Sequence, residues 1–466
     1  MSERRDGEAD GTTSDSEADG TTSEDEADGT TSDDEADGTT SDDEADGSTS
    51  DDGLIASLRG LGPDGRALFG LRTLRMFAYG FLAVVLVLYL DAIGLDPLAV
   101  GLVLTLTLIG DTLISLWLTT HADRIGRRRV LLLGAVLMLV AGVVFAGTSW
   151  LPLLILAGAI GVISPTGNEV GPFLAVEQAG LTQVVSDRRR TATFAWYNLA
   201  GYVATATGAL IAGVISGHLL AVGAAPAGAY RAVVFGYALI GLVMVVWAWR
   251  LGLAIEARSV DTDDGIRRRL GLHRSRRTVL SLSALFALDA FGGGFIPQSL
   301  VAFWFHVQFG VEPGVLGLIF FAANLLAAAS SLTAARLAGR FGLINTMVFT
   351  HLPSNILLIL VPLMPTLPLA VGVLLARYVL SQMDVPTRQS YVMAVVEPDE
   401  RSAAAGVTGV ARTTGAAISP ALSSVLMANA GYVALPFYLA GGLKIVYDLL
   451  LYRSFRALRP PEESTG

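Results

Sequence analysis

Eight of the ionisable residues inside the long apolar stretches of this chain are candidates for chemistry, because a charge there needs a chemical reason. They are four acids and four arginines: Asp111, Glu169, Asp289, Asp384, Arg75, Arg377, Arg388 and Arg412. A charge at the centre of a bilayer costs at least ~2.5–3.5 kcal/mol, so such residues usually bind solutes, relay protons or pair with one another. We therefore take these eight as candidates for solute binding or proton coupling, with Asp289 as the first choice for a coupling carboxylate.

Proline or glycine closely follows three of the carboxylates. One stretch reads Glu169-Val-Gly-Pro, a second reads Asp384-Val-Pro, and a third reads Asp289-Ala-Phe-Gly-Gly-Gly. Helices bend or break at such residues, and the backbone carbonyls that are freed can line a polar cavity. The shared pattern predicts that Glu169 and Asp384 occupy equivalent positions in two related segments.

Ion pairing inside the bundle is the open alternative. Four acids and four arginines could pair completely, and the eight side chains would then only hold helices together. Because such a set is balanced, it does not indicate the charge of a solute. His306 and His351 lie near the ends of their apolar stretches and are interpreted as packing residues.

Twelve apolar stretches must position these residues. Each has the roughly 20 residues that a helix needs to cross a ~30 Å hydrocarbon core. They cover residues 72–94, 97–119, 130–149, 151–177, 192–217, 232–250, 278–306, 313–335, 343–364, 367–391, 402–427 and 431–452. The chain is 52% hydrophobic and 16% charged, with a mean hydropathy of +0.55, which is unusual for a soluble protein of 466 residues. The sequence predicts an all-α integral membrane protein with 12 transmembrane helices.

Arginines mark one side of the membrane. The loops on the side of the N-terminus carry 18 of them, between Arg124 and Arg401, whereas the opposite loops carry only Arg231. Because positively charged loops stay in the cytoplasm, we expect a multi-pass protein of the cell membrane with both termini cytoplasmic.

The two halves of the chain repeat each other at an offset of 216 residues. The matched residues are Gly94, Pro97, Gly101, Ala122, Arg124 and Gly126 with Gly310, Pro313, Gly317, Ala338, Arg340 and Gly342. Six spans in each half, entered from the same side, predict two parallel six-helix bundles. We expect a tail and pre-helix at 1–68, bundles at 69–250 and 278–455, a cytoplasmic linker at 251–277 and a tail at 456–466.

A charged motif joins the second and third stretches and reads Asp123-Arg124-Ile-Gly126-Arg127-Arg128. With the repeat and the span pattern, it resembles the major facilitator superfamily over about residues 70–455. The resemblance implies the fold of that superfamily and alternating access around a central site. It also implies a conformational latch formed by Asp123, Arg124, Gly126, Arg127 and Arg128.

The chain departs from the family pattern at several positions. Thr119 and Ala335 replace the leading glycines of the motif and of its second copy, and Gly339 replaces the second aspartate. The latch should therefore depend on the first copy alone. Residues 201–213 of the fifth stretch hold glycines but no proline, which weakens the resemblance to the drug antiporters of the family.

Acidic residues are concentrated in the first 52 residues, which hold 21 of the 42 acids in repeats of Glu-Ala-Asp-Gly. Such a segment buries too little apolar surface to fold. Lys444 is the only lysine beside 31 arginines. This acidic, lysine-poor composition indicates a halophilic archaeon, and a GC-rich genome is the alternative explanation. With no cysteine and no phosphate-binding or metal motif, we expect no cofactor and no metal.

The function that we predict is secondary active transport of a small solute, without enzymatic activity. Proton-coupled efflux by antiport is the first choice, chiefly from the resemblance. A facilitator or symporter of a small metabolite is the alternative, and a non-transporting membrane sensor or scaffold comes from a different class. The expected partners are the solute, protons and membrane lipids, with no nucleic acid, and the chain is expected to act as a monomer.

Overall fold

Sixteen α-helices form in the residues that a computed structural model of the chain describes. These residues are 61–169, 171–184, 187–252, 255–256, 274–397, 400–429, 431–456 and 458. The acidic repeats, most of the predicted linker and most of the predicted C-terminal tail lie outside them. The helices are α1 Pro63–Ala83, α2 Leu86–Ala92, α3 Pro97–Ile125, α4 Arg127–Gly147, α5 Leu151–Ile160, α6 Phe173–Val184, α7 Asp187–Ala221, α8 Pro226–Trp249, α9 Arg276–Gly294, α10 Gln298–Phe309, α11 Pro313–Phe341, α12 Leu343–Leu360, α13 Leu367–Leu380, α14 Asp384–Ala394, α15 Arg401–Met427 and α16 Leu435–Phe455.

Helices coincide with every predicted span, which confirms the all-α prediction. Eight spans are single helices and four are broken into the pairs α1–α2, α5–α6, α9–α10 and α13–α14. In the described part of the chain, nine segments are long and apolar enough to cross a membrane, and the pair α1–α2, bent by 44°, makes a tenth. The remaining spans fall short because α5 has only 10 residues and α15 carries arginines among small polar residues.

Three of the four breaks fall where proline and glycine predict them. Glu169 lies in the non-helical segment between α5 and α6, and Asp384 is the first residue of α14. The third break separates Gly294 at the end of α9 from α10. The fourth, at Val84 and Val85 between α1 and α2, contains neither residue type and was not predicted.

The 216-residue repeat is confirmed in the backbone. The helices α3 and α11 are both 29 residues long, begin at matched prolines and end just before Gly126 and Gly342. These glycines have φ angles of +100° and +84°, which residues with a Cβ rarely adopt. The chain can therefore turn directly from α3 into α4 and from α11 into α12.

Helices α1–α8, the first half, pair in the same way as helices α9–α16, the second half. In the first half α1 packs on α7, α3 on α5 and α4 on α8. The equivalents α9 with α15, α11 with α13 and α12 with α16 pack likewise. Two large contacts, α7 with α11 and α3 with α15, join the halves into one compact unit.

The halves approach each other closely at the membrane face opposite the arginine-rich loops. A Cβ on Gly101 would lie 2.7 Å from the Cα of Ala421, and one on Gly213 would lie 2.5 Å from the carbonyl oxygen of Pro313. The backbone N–H of Ala421 also donates to the Thr105 hydroxyl across this interface, at 3.0 Å. Glycine is therefore required for the halves to close on this face.

Candidate functional site

The first half buries a network of two arginines and two glutamates. Arg75 donates to Glu169 at 2.8 Å and to both carboxylate oxygens of Glu177, and neither Arg75 nor Glu177 has exposed side-chain surface. Arg72, one turn earlier on α1, donates to Glu169 at 2.6 Å and to the Tyr197 carbonyl at 2.9 Å. The Tyr197 hydroxyl donates to Glu177. Two positive and two negative charges thus balance in this network.

The helix α1 and the break in the fourth span build the first network together. Because Arg72 and Arg75 are three residues apart, they share one face of α1. That face meets Glu169 in the non-helical segment and Glu177 on α6. The Arg75 guanidinium also lies 4.5 Å from the ring centroid of Phe173, a cation–π contact.

Asp289 is the centre of a second network, in the second half. Its Oδ1 accepts from Lys444 Nζ at 2.6 Å, and its Oδ2 lies 3.2 Å from Arg412 and 3.5 Å from Arg388. Arg388 pairs in addition with Asp384, four residues earlier on α14, at 2.7 Å. The carboxylate of Asp289 is therefore shared by three cations.

His351 extends the second network. Its Nε2 lies 3.8 Å from Asp289 Oδ1, and its Nδ1 lies 2.8 Å from Asp448 Oδ1. Asn355 donates to the other oxygen of Asp448 at 2.9 Å. The interpretation of His351 as a packing residue near a span end is wrong, because it lies in the middle of α12 between two buried carboxylates.

The eight residues predicted from the sequence do not pair completely. Six of the eight form ion pairs with one another: Arg75 with Glu169, Arg388 with both Asp384 and Asp289, and Arg412 with Asp289. Within the described residues, Asp111 and Arg377 take part in no ion pair. Asp111 accepts from the Ser115 hydroxyl at 3.3 Å, and the Arg377 guanidinium lies 5.3 Å from the ring centroid of Tyr378. Pairing alone therefore does not explain every intramembrane charge.

Five ionisable residues of the two networks are missing from the predicted set: Arg72, Glu177, His351, Lys444 and Asp448. Arg72 and Glu177 stand at the end positions of predicted spans, where a side chain is expected to reach the headgroups. Lys444 and Asp448 carried a usable signal, since both lie well inside the last apolar stretch and four residues apart. Both residues were therefore predictable as intramembrane charges from the sequence.

A cavity of about 150 Å³ lies between the halves, beside the second network. The first half contributes Thr166, Asn168 and Tyr202 to its lining. The second half contributes the polar residues Gln298, Asn324, Arg377, Tyr378, Gln382 and Lys444. Concave sites with a few convergent polar groups are the usual binding sites for small molecules. A larger cavity of about 610 Å³ around Asp91 and Glu312 is lined by none of the network residues, so we do not treat it as the site.

The break in the fourth span reaches across to the cavity wall. The Pro165 carbonyl accepts from the backbone N–H of Ser299 at 3.2 Å, which links the two halves. Gly167 has a φ of +70°, and a Cβ there would lie 3.3 Å from the Oε1 of Gln298. The segment that carries Glu169 thus borders both the first network and the cavity.

The charged motif between α3 and α4 is held by a carboxylate from beyond α8. Glu256 accepts from the backbone N–H groups of Arg127 at 2.7 Å and Arg128 at 3.3 Å. The Arg127 guanidinium donates to the carbonyls of Ala179 and Ile255 at 3.1 Å and 3.2 Å. These contacts join the motif to the first half and to residues just after it.

Two other members of the motif, Asp123 and Arg124, lie at the end of α3. The Arg124 side chain is exposed, whereas the side chain of Asp123 lies outside the described residues. The latch between the halves therefore stays a prediction.

The fold and the cavity define a multi-span membrane protein with two similar halves around a central site. The sequence pattern of the Major Facilitator Superfamily matches residues 68–381 and 282–466, and the chain belongs to this superfamily. The uncharacterized membrane protein YJR124C of Saccharomyces cerevisiae is 30% identical over 407 residues, which are 81% of this chain and 91% of the yeast protein.

Solved structures of transporters share the fold. A bacterial homologue of the human lysosomal transporter Spinster, in an inward-facing and occupied conformation, has a TM-score of 0.65 at 15% identity and covers 85% of this chain and 97% of its own. A D-xylose–proton symporter has a TM-score of 0.66 at 14% identity, covering 84% and 97%. The nucleoside transporter NupG has a TM-score of 0.63 at 15% identity, covering 85% and 100%. Family and fold point to a transporter rather than an enzyme.

Proposed function

We propose that this chain is a secondary transporter that moves a small solute through the cavity between its halves by alternating access. The observation that carries the proposal is that residues of both halves line one cavity, while the close backbone approaches at Gly101 and Gly213 lie at a single membrane face. Rocking of the halves would then expose the cavity to one side and afterwards to the other.

We infer that the structure represents an inward-facing state, because the halves are closed on one face of the membrane only. The closed face is opposite the arginine-rich loops, which the charge bias assigns to the cytoplasm. Proteins of the same fold have been solved in inward-facing states, among them the Spinster homologue and a bacterial homologue of the iron transporter ferroportin.

We propose that the transporter exports its solute in exchange for protons. The contacts of the carboxylates indicate which of them carries the proton. Asp289 would have to give up three cations within 3.5 Å before a proton could take their place. Asp111 accepts from Ser115 at 3.3 Å and has no ion pair among the described residues. It can exchange a proton without breaking an ion pair, so we assign the coupling role to Asp111 ahead of Asp289.

A facilitator or symporter of a small metabolite is the second candidate. The observation that favours a facilitator is the ion pairing of Glu169, Asp289 and Asp384, which leaves few carboxylates available to protons. The symporter of D-xylose and protons shares the fold, so the architecture is compatible with uptake as well as efflux. A non-transporting sensor is the third candidate.

The setting of the protein is also part of the proposal. The bias of 18 arginines to one supports a cell membrane protein with both termini in the cytoplasm. One chain supplies both walls of the cavity. This supports a monomer whose outer surface contacts only membrane lipids. A source in a halophilic archaeon stays a prediction from the lysine-poor, acidic composition.

Solute-dependent flux in proteoliposomes tests the proposal. Purified protein would be reconstituted with a pH-sensitive dye inside, and a panel of metabolites would be added under and without a pH gradient. We expect wild-type protein and Gly372→Trp, whose Cβ has no neighbour within 4 Å, to respond to the same solutes. Asn168→Trp should block the response, because the indole fills the cavity that Asn168 lines. A protein that is stabilised by solutes and moves none of them would be a sensor instead.

A further inference from the structure

Positive charge exceeds negative charge around the central cavity. Around Asp289 and the cavity, the described residues include three carboxylates and four cations: Asp289, Asp384, Asp448, Arg377, Arg388, Arg412 and Lys444. Two of the cations, Arg377 and Lys444, line the cavity, and no described lining residue is Asp or Glu. Because an uncompensated charge is costly in a low-dielectric interior, the excess calls for a negative partner.

Among these four cations, Arg377 is the one without an ion pair to a described carboxylate, and its described contact is with Tyr378. Lys444, Arg412 and Arg388 share Asp289, whereas Arg377 has no ion pair with any described carboxylate. Its Nε is buried and forms no hydrogen bond. A guanidinium offers a planar fork of donors that fits the oxygens of a carboxylate or phosphate group.

Gln298 supplies a second unsatisfied donor at the cavity wall. The Asn324 amide donates from Nδ2 to the Phe320 carbonyl at 2.8 Å, which fixes Nδ2 as the nitrogen. The same Nδ2 lies 3.2 Å from Gln298, so Gln298 must present its oxygen there. The Gln298 Nε2 is left without a partner, although only 6% of this residue is exposed. Buried donors without acceptors are rare, and those of a binding site are satisfied by its ligand.

The lining of the opposite wall and the cavity volume restrict the chemistry and the size of the rest of the ligand. Thr166, Asn168 and Tyr202 are neutral and polar, and they suit hydroxyl or amide groups. The cavity has a volume of about 150 Å³. This volume is below the roughly 300 Å³ at which sites for drug-sized molecules begin. The occupant is therefore the size of a small metabolite.

We propose that the cavity binds a small organic anion, whose carboxylate or phosphate group contacts Arg377 and Gln298 while Lys444 supplies a second positive charge. The unpaired guanidinium, the free amide donor and the absence of described acids in the lining all favour an acceptor-rich, negatively charged head group. The inference rests on the proposed function, because it takes this cavity to be the transport site.

Thermal stabilisation of the purified full-length protein tests the head group. The probes are succinate and glycerol 3-phosphate, with succinamide and glycerol as uncharged matches and inorganic phosphate as the bare ion. We expect at least one organic anion to raise the melting temperature and its uncharged match not to do so. Preference for succinate would identify a carboxylate site, and preference for glycerol 3-phosphate a phosphate site. Stabilisation by the uncharged compounds alone would overturn the proposal.

Substitutions test the residues. Arg377→Gln should weaken binding of the effective anion at least roughly tenfold, whereas Arg231→Gln, on the opposite face of the membrane, should leave it unchanged. Gln298→Glu keeps the shape of the side chain and should repel the anion. If Arg377→Gln fails to fold, Gln298→Glu provides the test, because it retains a polar side chain of the same size and adds a negative charge to the cavity wall. Unchanged anion affinity in a folded Gln298→Glu variant would also overturn the proposal.

Flux measurements separate this inference from the function on which it rests. Flux of an uncharged or cationic solute that is insensitive to Arg377→Gln would refute the anion site and leave the transporter intact. Anion binding that depends on Arg377, without flux of that anion in proteoliposomes, would keep the site and refute transport.

Discussion

The two halves of the molecule have matching backbones and different charge networks. In the first half, two arginines and two glutamates cancel, and Arg75 and Glu177 are sealed from solvent. In the second half, the network around Asp289 has an excess of cations, and two of the cations open onto the cavity. Duplication of a fold therefore does not require duplication of chemistry. The balanced network is suited to holding helices together, and the unbalanced one is suited to binding a charged solute.

A matched pair of substitutions gives the largest expected contrast between the networks. Arg75→Gln leaves Glu177 buried without a cation and should lower the free energy of unfolding by about 3–5 kcal/mol. Arg377→Gln breaks no described ion pair and should cost far less. The measurement is equilibrium unfolding in detergent.

The double variant Arg75→Gln/Glu177→Gln is the control for this contrast. It should recover part of the loss, because removing both charges leaves neither uncompensated. Equal stability of the two single variants would mean that charge pairing does not distinguish the halves.

Proton coupling gives the second contrast, between Asp111 in the first half and Asp289 in the second. Asp111→Asn should abolish solute accumulation driven by a pH gradient and preserve counterflow, because only the proton step is lost. Asp289→Asn leaves three cations without their shared carboxylate, so it should impair folding and counterflow as well. Counterflow and gradient-driven transport would be compared in the same proteoliposomes.

The outcome distinguishes the two carboxylates. If Asp111→Asn accumulates solute at the wild-type level under a pH gradient, Asp111 is not the coupling residue. A folded Asp289→Asn variant that exchanges solute but does not accumulate it would return the role to Asp289.

The close contact between the halves should control from which side of the membrane the cavity is accessible. A Cβ on Gly317 would lie 2.7 Å from the carbonyl oxygen of Ala209, so Gly317→Val should force this face open. The chain has no cysteine, and a single cysteine at Thr166 would report access to the cavity. We expect roughly tenfold slower labelling from the side of the arginine-rich loops, equivalent to about 1.4 kcal/mol between the two states.

Gly372→Val is the matched control for this labelling experiment, since a Cβ at Gly372 meets nothing within 4 Å. Equal labelling of both variants would show that closure of this face does not control access to the cavity.

The smallest effect is expected from the acidic tail. Deletion of residues 1–52 should leave insertion and transport intact, because after Met1 the only apolar side chains in the segment are those of five alanines, which bury too little surface to pack on the bundle. The measurement is transport per unit of protein in the membrane. A loss of more than about half of the activity would assign the tail a function.

The residue pattern was enough to locate the helical spans and three of the four breaks. Hydrophobic length determines a membrane span locally, so the twelve spans and the break at Glu169 follow from the sequence. The turn at Gly126 follows equally, because its φ of +100° is a local property of glycine. The break at Val84 did not follow, since neither proline nor glycine marks it.

Contacts between distant parts of the chain were decided only by the tertiary structure. The predicted set contains as many acids as arginines, but the sequence does not show that Arg377 and Asp111 form no ion pair with any residue that the structure describes. It also does not bring Lys444, His351 and Asp289 together, because they are distant in sequence and meet only when α9, α12 and α16 pack. Hydrophobic length and glycine conformation act over a few residues and can be read along the chain. Charge balance depends on which helices become neighbours, and that is a property of the folded bundle.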